Sequence, residues 1–155
     1  MSELREEEIR VFVDAVRNYF VQMTAAPALV KASYLAEQAV PRHAYTGLIT
    51  LAGQFQGCVY FSAQRDMLWA LLDEMREPDL SEENLLDAVG EIANTIAGNA
   101  RRHFGSGLDI SVPVAIKGVS EEIRTAVRVR PLVILVEWQG YEVVVVVDLK
   151  SADMH

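Results

Sequence analysis

The chain has 155 residues, of which 51% are hydrophobic and 23% charged, a composition typical of one folded globular domain rather than a disordered chain. Its formal net charge of -8 argues against binding to nucleic-acid phosphates or anionic membranes, because both need clustered Lys and Arg. A single cysteine, Cys58, cannot form an internal disulfide, and no apolar run approaches the ~20 residues of a membrane span. With no secretory signal in the acidic N-terminal sequence, we expect one cytoplasmic domain over residues 1–155.

An amphipathic helix is the first predicted element. Its apolar residues step by three or four positions, and they are Ile9, Phe12, Val16, Phe20 and Met23. Ser2 is a candidate helix start, and the helix should stop near Pro27. A strand over 30–36 is predicted next. Two β-rich runs, 47–52 and 58–62, then flank a glycine-bearing turn and predict a hairpin.

The second half of the chain repeats the order of helix and then strands. Residues 64–76 predict a helix ended by Pro78, and residues 82–104 predict the longest helix, with Ser81 as its N-cap. Four β-rich runs follow, at 109–116, 123–129, 132–138 and 141–149. This order predicts an α+β fold, in which an antiparallel sheet packs against long helices and the two halves are related by pseudo-duplication.

A straight row of polar residues marks the helix predicted over 82–104. At ~100° per residue, Asp87, Glu91, Asn94 and Gly98 fall within an arc of roughly 60° on the side away from the apolar residues. The glycines and asparagines of this stretch lower helix propensity by a total on the order of 3 kcal/mol. Stability alone does not account for the row, which therefore indicates a functional surface.

The run from Asp87 to Ala100, DAVGEIANTIAGNA, resembles the signature helix of the CheC/CheX/FliY chemotaxis phosphatases, and the CheX branch in particular. The hairpin around Gly53 and Gly57 and the later segment 111–113 fit the same family. The resemblance covers roughly residues 8–150.

The resemblance implies a protein aspartyl-phosphate phosphatase that acts on a CheY-like response-regulator receiver. Asn94 would orient the attacking water, and Glu91 would pair with the receiver lysine beside the phosphate. Asp87 and Gly98 are candidate partner-binding positions, although Gly98 could equally relieve crowding within the fold. This chain is expected to bind no cofactor itself, and Mg2+ is expected in the partner receiver.

The first helix tests whether the chain carries a second motif. Superposing the two long helices by their apolar residues puts Asn18 opposite Asn94 but Ala15 opposite Glu91, so one active site per chain is expected. The resemblance also implies a homodimer. Two alternatives stay open, a non-catalytic receiver-binding module and a flagellar switch-type structural component.

Overall fold

The computed structural model describes residues 4–37, 40–118 and 130–151. Within these ranges the elements are, in chain order, α1 Glu6–Met23, β1 Leu29–Leu35, β2 Tyr45–Gly53, β3 Phe55–Ala63, α2 Arg65–Glu74, α3 Glu82–Phe104, β4 Leu108–Ile110, β5 Val114–Lys117, β6 Leu132–Trp138 and β7 Tyr141–Ser151. The bounds of α3 are those predicted from the sequence, and the two predicted hairpins form as β2–β3 and β6–β7. The α+β class is confirmed.

One antiparallel sheet connects all the strands in this part of the chain. Its order is β1-β6-β7-β3-β2-β4, and β5 also pairs with β2. When the two halves are exchanged, the order of the sheet reads the same from the opposite edge. Strands β2 and β3 of the first half correspond to β6 and β7 of the second. Strand β1, which pairs with β6, corresponds to β4 and β5, which pair with β2. The sheet topology therefore confirms the predicted pseudo-duplication, with the β3–β7 pair at its centre.

The main core lies between the sheet and the helices. Helix α3 contributes its whole apolar stripe, and the buried members are Leu85, Val89, Ile92, Ala93, Ile96, Ala97 and Ala100. Strand β7 lies inside the sheet, and its run Val143–Val147 is buried on both faces, as the absence of polar alternation predicts. A smaller apolar cluster that includes Cys58, Tyr60 and Val146 forms on the other face.

The start and stripe of α1 differ from the prediction. The helix begins at Glu6, because the backbone N–H of Arg5 donates to the Glu8 carboxylate at 2.9 Å and so marks the N-terminal turn. The predicted start at Ser2 is therefore wrong, and Ser2 itself lies outside the described residues. Met23 is 41% exposed and does not belong to the core, because the helix ends there.

The strand predicted over 109–116 is two short strands. Residues 111–113 interrupt it, and Pro113 has no backbone N–H with which to continue the ladder. Both pieces pair with β2 at different registers, so the interruption falls within one edge of the sheet. The strand predicted over 123–129 lies outside the described residues.

Candidate functional site

Helix α3 is a well-capped platform for the polar row. The Ser81 hydroxyl accepts a hydrogen bond from the Asn84 N–H at 3.3 Å, which caps the N-terminus as predicted. Gly105 ends the helix with φ 76°, a conformation that favours glycine. Acidic residues occupy the first turn and basic residues the last, so the charges complement the helix dipole.

The backbone of α3 rests directly on the sheet. A Cβ placed on Gly47 of β2 would lie 2.1 Å from the Val89 carbonyl oxygen, a distance that atoms cannot adopt. At the next residue of α3, a Cβ placed on Gly90 would lie 3.4 Å from Cβ of Pro113, an ordinary van der Waals distance. The close approach of α3 to the sheet therefore depends on Gly47, whereas a methyl group at Gly90 would make only ordinary contacts.

The four predicted site residues lie together on the outer face of α3. Asp87 and Glu91 are exposed, whereas Asn94 and Gly98 are half-buried. The side chains of Asp87, Glu91 and Asn94 make no hydrogen bond or ion pair with the residues that the structure describes. Their polar atoms are therefore available to a partner.

Two elements flank the row. On one side α1 brings the buried Tyr19 close to Glu91, and burial, with a smaller effect of the Glu91 charge, raises the pKa of Tyr19. Tyr19 is therefore a neutral phenol beside that carboxylate. On the other side the segment 111–113 packs on the helix through Pro113. The row therefore lies on the surface of α3 between α1 and this segment.

Gly98 has open space around it. A Cβ built there would meet no atom of the described chain within 4 Å. The alternative that Gly98 relieves crowding within the fold therefore finds no contact that supports it.

The burial pattern of α1 changes its alignment with α3. The buried residues of the two helices have the same spacing. In chain order, the five of α1 match five of α3, and the pairs are Phe12 and Val89, Ala15 and Ile92, Val16 and Ala93, Tyr19 and Ile96, and Phe20 and Ala97. This is one residue away from the superposition made on sequence alone, which counted the buried Ala15 as a surface position.

With the corrected alignment, Asp14 corresponds to Glu91 and Arg17 corresponds to Asn94. Both α1 residues are exposed, and the Arg17 guanidinium lies 3.9 Å from the Asp14 carboxylate. The expectation of an incomplete second motif stands, but the residue that α1 lacks is the amide and not the acid.

A groove between α1 and α3 was not predicted. It has a volume of about 340 Å³, and the residues that line it are Val11, Asp14, Ala15, Asn18, Gln22, Asn99, Arg102 and His103. Arg102 donates to Oδ1 of Asn99, whereas Nδ2 of Asn99 has no partner within the described structure. No sequence signal distinguished Asn99 from an ordinary helix asparagine.

Across residues 4–37, 40–118 and 130–151, no three His, Cys, Asp or Glu side chains come together as potential metal ligands. None of the helices in these ranges is both long and apolar enough to cross a membrane.

The family model described as "Chemotaxis phosphatase CheX" matches residues 45–137, which include all of α3 and more than half of the chain. No curated protein sequence gives a significant match.

Solved structures share the fold at low sequence identity. The chemotaxis protein CheX from Desulfovibrio desulfuricans is 20% identical, with a TM-score of 0.77 over 93% of this chain and 99% of that chain. A CheC-like superfamily protein from Shewanella sp. PV-4 is 16% identical, with a TM-score of 0.78 over 96% of this chain and 100% of that chain. A chain of the CheX–CheY–BeF3–Mg2+ complex from Borrelia burgdorferi is 19% identical, with a TM-score of 0.70 over 95% of this chain and 100% of that chain.

Proposed function

The chain belongs to the CheX family of chemotaxis phosphatases, and we propose that it hydrolyses the aspartyl phosphate of a CheY-like receiver through Glu91 and Asn94. The observation that carries the proposal is the placement of these two side chains, which lie three residues apart on the outer face of α3 and make no hydrogen bond or ion pair with the described residues. The relative from Borrelia burgdorferi, in complex with CheY, BeF3 and Mg2+, supports the choice of partner. The proposal locates the chain in the cytoplasm with its receiver.

The reaction needs positioning more than covalent help. Water attacks the phosphorus in line, the bond to the receiver aspartate breaks, and the products are a free carboxylate and inorganic phosphate that carries both protons of the water. Phosphoryl transfer responds mainly to alignment and to electrostatic stabilisation. The receiver would supply the Mg2+ that neutralises the phosphoryl oxygens.

Asn94 has the chemistry to align the water. Its carboxamide oxygen can accept a hydrogen bond from the water while its NH2 group donates another, and neither role needs a shifted pKa. Because Asn94 is half-buried between flanking elements, its side chain has fewer orientations than a fully exposed one. A 100-fold acceleration from alignment corresponds to ~2.7 kcal/mol, which one well-placed amide can supply.

Glu91 would fix the register of the complex. It lies three residues before Asn94, so the two side chains are ~5–6 Å apart on the helix surface and can enter one small site together. A lysine beside the phosphate of the receiver would pair with its carboxylate. Asp87 would extend the acidic contact by one turn, and Gly98 would let the partner backbone approach the helix.

We also propose that the chain forms a homodimer. Strand β1 is at the edge of the sheet, and its side chains Leu29 and Tyr34 are exposed. An exposed edge strand is a ready template for pairing with a second chain. The mass of the protein in solution tests this part of the proposal.

The deciding experiment is phosphate release from a phosphorylated receiver of the same organism in the presence of Mg2+. The wild type should accelerate release, and Asn94→Ala should lose most of that acceleration. Asn99→Ala is the matched control, because it removes the same amide from the same helix on the flank that faces α1, and it should retain activity. A wild type that binds the receiver without accelerating its decay would instead support the non-catalytic binding module.

A further inference from the structure

The segment 111–113 carries an exposed apolar side chain beside the polar row. Val112 is 82% exposed and adds almost nothing to the core, and Val114, two residues later, is 38% exposed. Single exposed hydrophobic residues are common on soluble proteins and mean little alone. What distinguishes Val112 is where it lies and how firmly it is supported.

Pro113 places this segment against the flank of α3. Its ring faces Gly90, because a Cβ built on Gly90 would lie 3.4 Å from Cβ of Pro113. Gly90 lies about one helical turn before Asn94 and is rotated from it by only ~40° about the helix axis. The segment therefore borders the row on the side away from α1. We therefore expect a protein domain that covers Asn94 to reach Val112 as well.

Both neighbours of Val112 are fixed in place. The Ser111 N–H donates to the Thr50 carbonyl at 3.0 Å, and the Thr50 N–H donates to the Ser111 hydroxyl at 2.9 Å. Pro113 rests on α3, and its ring fixes its own φ. An apolar side chain held between two fixed residues loses little conformational freedom when a partner covers it, so more of the gain from burial appears as affinity.

The polar row is too small and too polar to be a whole interface. A stable protein–protein contact buries about 800 Å² on each partner, and its centre is apolar and poor in charged groups. The row consists of two exposed carboxylates, a half-buried amide and a glycine. An apolar contact must therefore lie next to the row, and Val112 meets that description.

We infer that Val112, with Val114 beside it, is an apolar docking contact for the receiver domain whose phosphate faces Glu91 and Asn94. The inference rests on the proposed phosphatase function and deepens it, because it assigns recognition and chemistry to different residues. The receiver is the occupant because it must cover the row for Asn94 to reach its phosphate.

Val112→Asp tests the inference. We would measure phosphate release over a range of phosphorylated-receiver concentrations, and also direct binding to the receiver loaded with beryllofluoride and Mg2+. KM and Kd should each rise about tenfold, equivalent to ~1.4 kcal/mol, whereas kcat should hardly change. Val112→Ile, which keeps an apolar side chain, should have wild-type KM and Kd. Asn94→Ala should show the converse of Val112→Asp, a fall in kcat with little change in Kd.

Met75→Asp is the matched control for a new surface charge. Met75 is 39% exposed and follows α2 at the end where Glu74 accepts a hydrogen bond from the Ala25 N–H, outside both the polar row and the β1 edge, so KM and Kd should stay at wild-type values. Thermal midpoint and mass in solution are compared for every variant. Because Val112 is exposed, Val112→Asp should keep the wild-type thermal midpoint. A rise in Kd without a fall in the thermal midpoint would show that Val112 acts in docking and not in holding the fold.

The outcomes distinguish the two proposals. If the wild type is active and Val112→Asp keeps the wild-type KM and Kd, the docking inference is wrong while the phosphatase proposal stands. If the wild type binds the loaded receiver but does not hydrolyse the phosphorylated one, the phosphatase proposal is wrong, and the Kd of Val112→Asp still decides the inference. If the wild type binds no receiver, both are wrong.

Discussion

Arg17 holds on α1 the position that Asn94 holds on α3. Its guanidinium lies 3.9 Å from the carboxylate of Asp14, the counterpart of Glu91. On α3, by contrast, Glu91 and Asn94 make no hydrogen bond or ion pair with the residues that the structure describes. A guanidinium has five donors and no acceptor, so it cannot accept a hydrogen bond from an attacking water. Under the proposed mechanism, Asn94 of α3 can therefore orient the water, whereas Arg17 at the matching position of α1 cannot.

Arg17→Ala should therefore leave phosphatase activity unchanged. The ion pair with Asp14 has both side chains more than half exposed, so its loss should change the free energy of unfolding by less than ~1 kcal/mol. Phosphate release and urea unfolding, measured beside Asn94→Ala, check both points. A fall in activity as large as that of Asn94→Ala would show that Arg17 of α1 takes part in the reaction.

Gly98→Ala should stabilise the protein and weaken its function. The added methyl meets open space inside the fold, and alanine is favoured over glycine in a helix by ~1 kcal/mol. The same methyl would separate a partner backbone from the helix, so Kd for the receiver should rise. Urea unfolding and receiver binding measure the two effects separately.

Gly105→Ala is the control for Gly98→Ala. A Cβ added at Gly105 would also meet no atom within 4 Å, but the φ angle of Gly105 is 76°. The substitution should destabilise the protein by about 1 kcal/mol, because alanine is strained in that conformation. If Gly98→Ala gives a more stable protein with an unchanged Kd, close approach of the partner at Gly98 is ruled out.

Gly47→Ala should lower the free energy of unfolding by about 1–3 kcal/mol or more, because its methyl would overlap the Val89 backbone and force α3 away from β2. Since α3 carries Glu91 and Asn94, kcat should fall together with stability. Denaturant unfolding followed by activity under native conditions checks this. Wild-type values for both would show that α3 does not rest on Gly47.

The sequence predicted α3 and its outer face well, because local signals agree there. Ser81 and Gly105 mark the two ends, and the stripe is long enough to define which side is buried. The alignment of α1 failed by one residue because Ala15 is small enough for either face, and only the packed structure shows that it is buried. The position of residues 111–113 depends on hydrogen bonds to β2 and on packing beside Gly90, and both neighbours are distant in sequence.

Cys58 should be inert in the folded protein. Burial raises the pKa of its thiol to about 12, with the negative charge of Asp148 adding to the effect, so almost no thiolate exists near neutral pH. A thiol reagent at pH 8 should label the chain only after denaturant is added. Fast labelling of the native protein would mean that β3, which carries Cys58, separates from β7 under native conditions.

The first turn of α3 is tied to three other elements through Glu82. Its carboxylate accepts hydrogen bonds from Tyr45 at 2.8 Å and Arg65 at 3.0 Å, and it lies 2.9 Å from Nζ of Lys117. The hydrogen bond from Lys117, followed by that from Tyr45, lowers the pKa of Glu82 below its ordinary value of 4.5. The ionised form of Glu82 is thus favoured by folding.

The stability of the protein should therefore depend on the protonation of Glu82. Because its folded pKa is lowered, the contribution is fully present above pH 4.5 and is lost as the pH falls through the folded pKa. Between pH 6 and pH 3, the free energy of unfolding should fall more steeply for the wild type than for Glu82→Gln, which cannot titrate at this position. Glu83→Gln removes a carboxylate from the same turn but no hydrogen bond or ion pair among the described residues, so at pH 7 its free energy of unfolding should stay within ~1 kcal/mol of the wild type. Parallel curves for wild type and Glu82→Gln would mean that the network around Glu82 does not hold the start of α3 in solution.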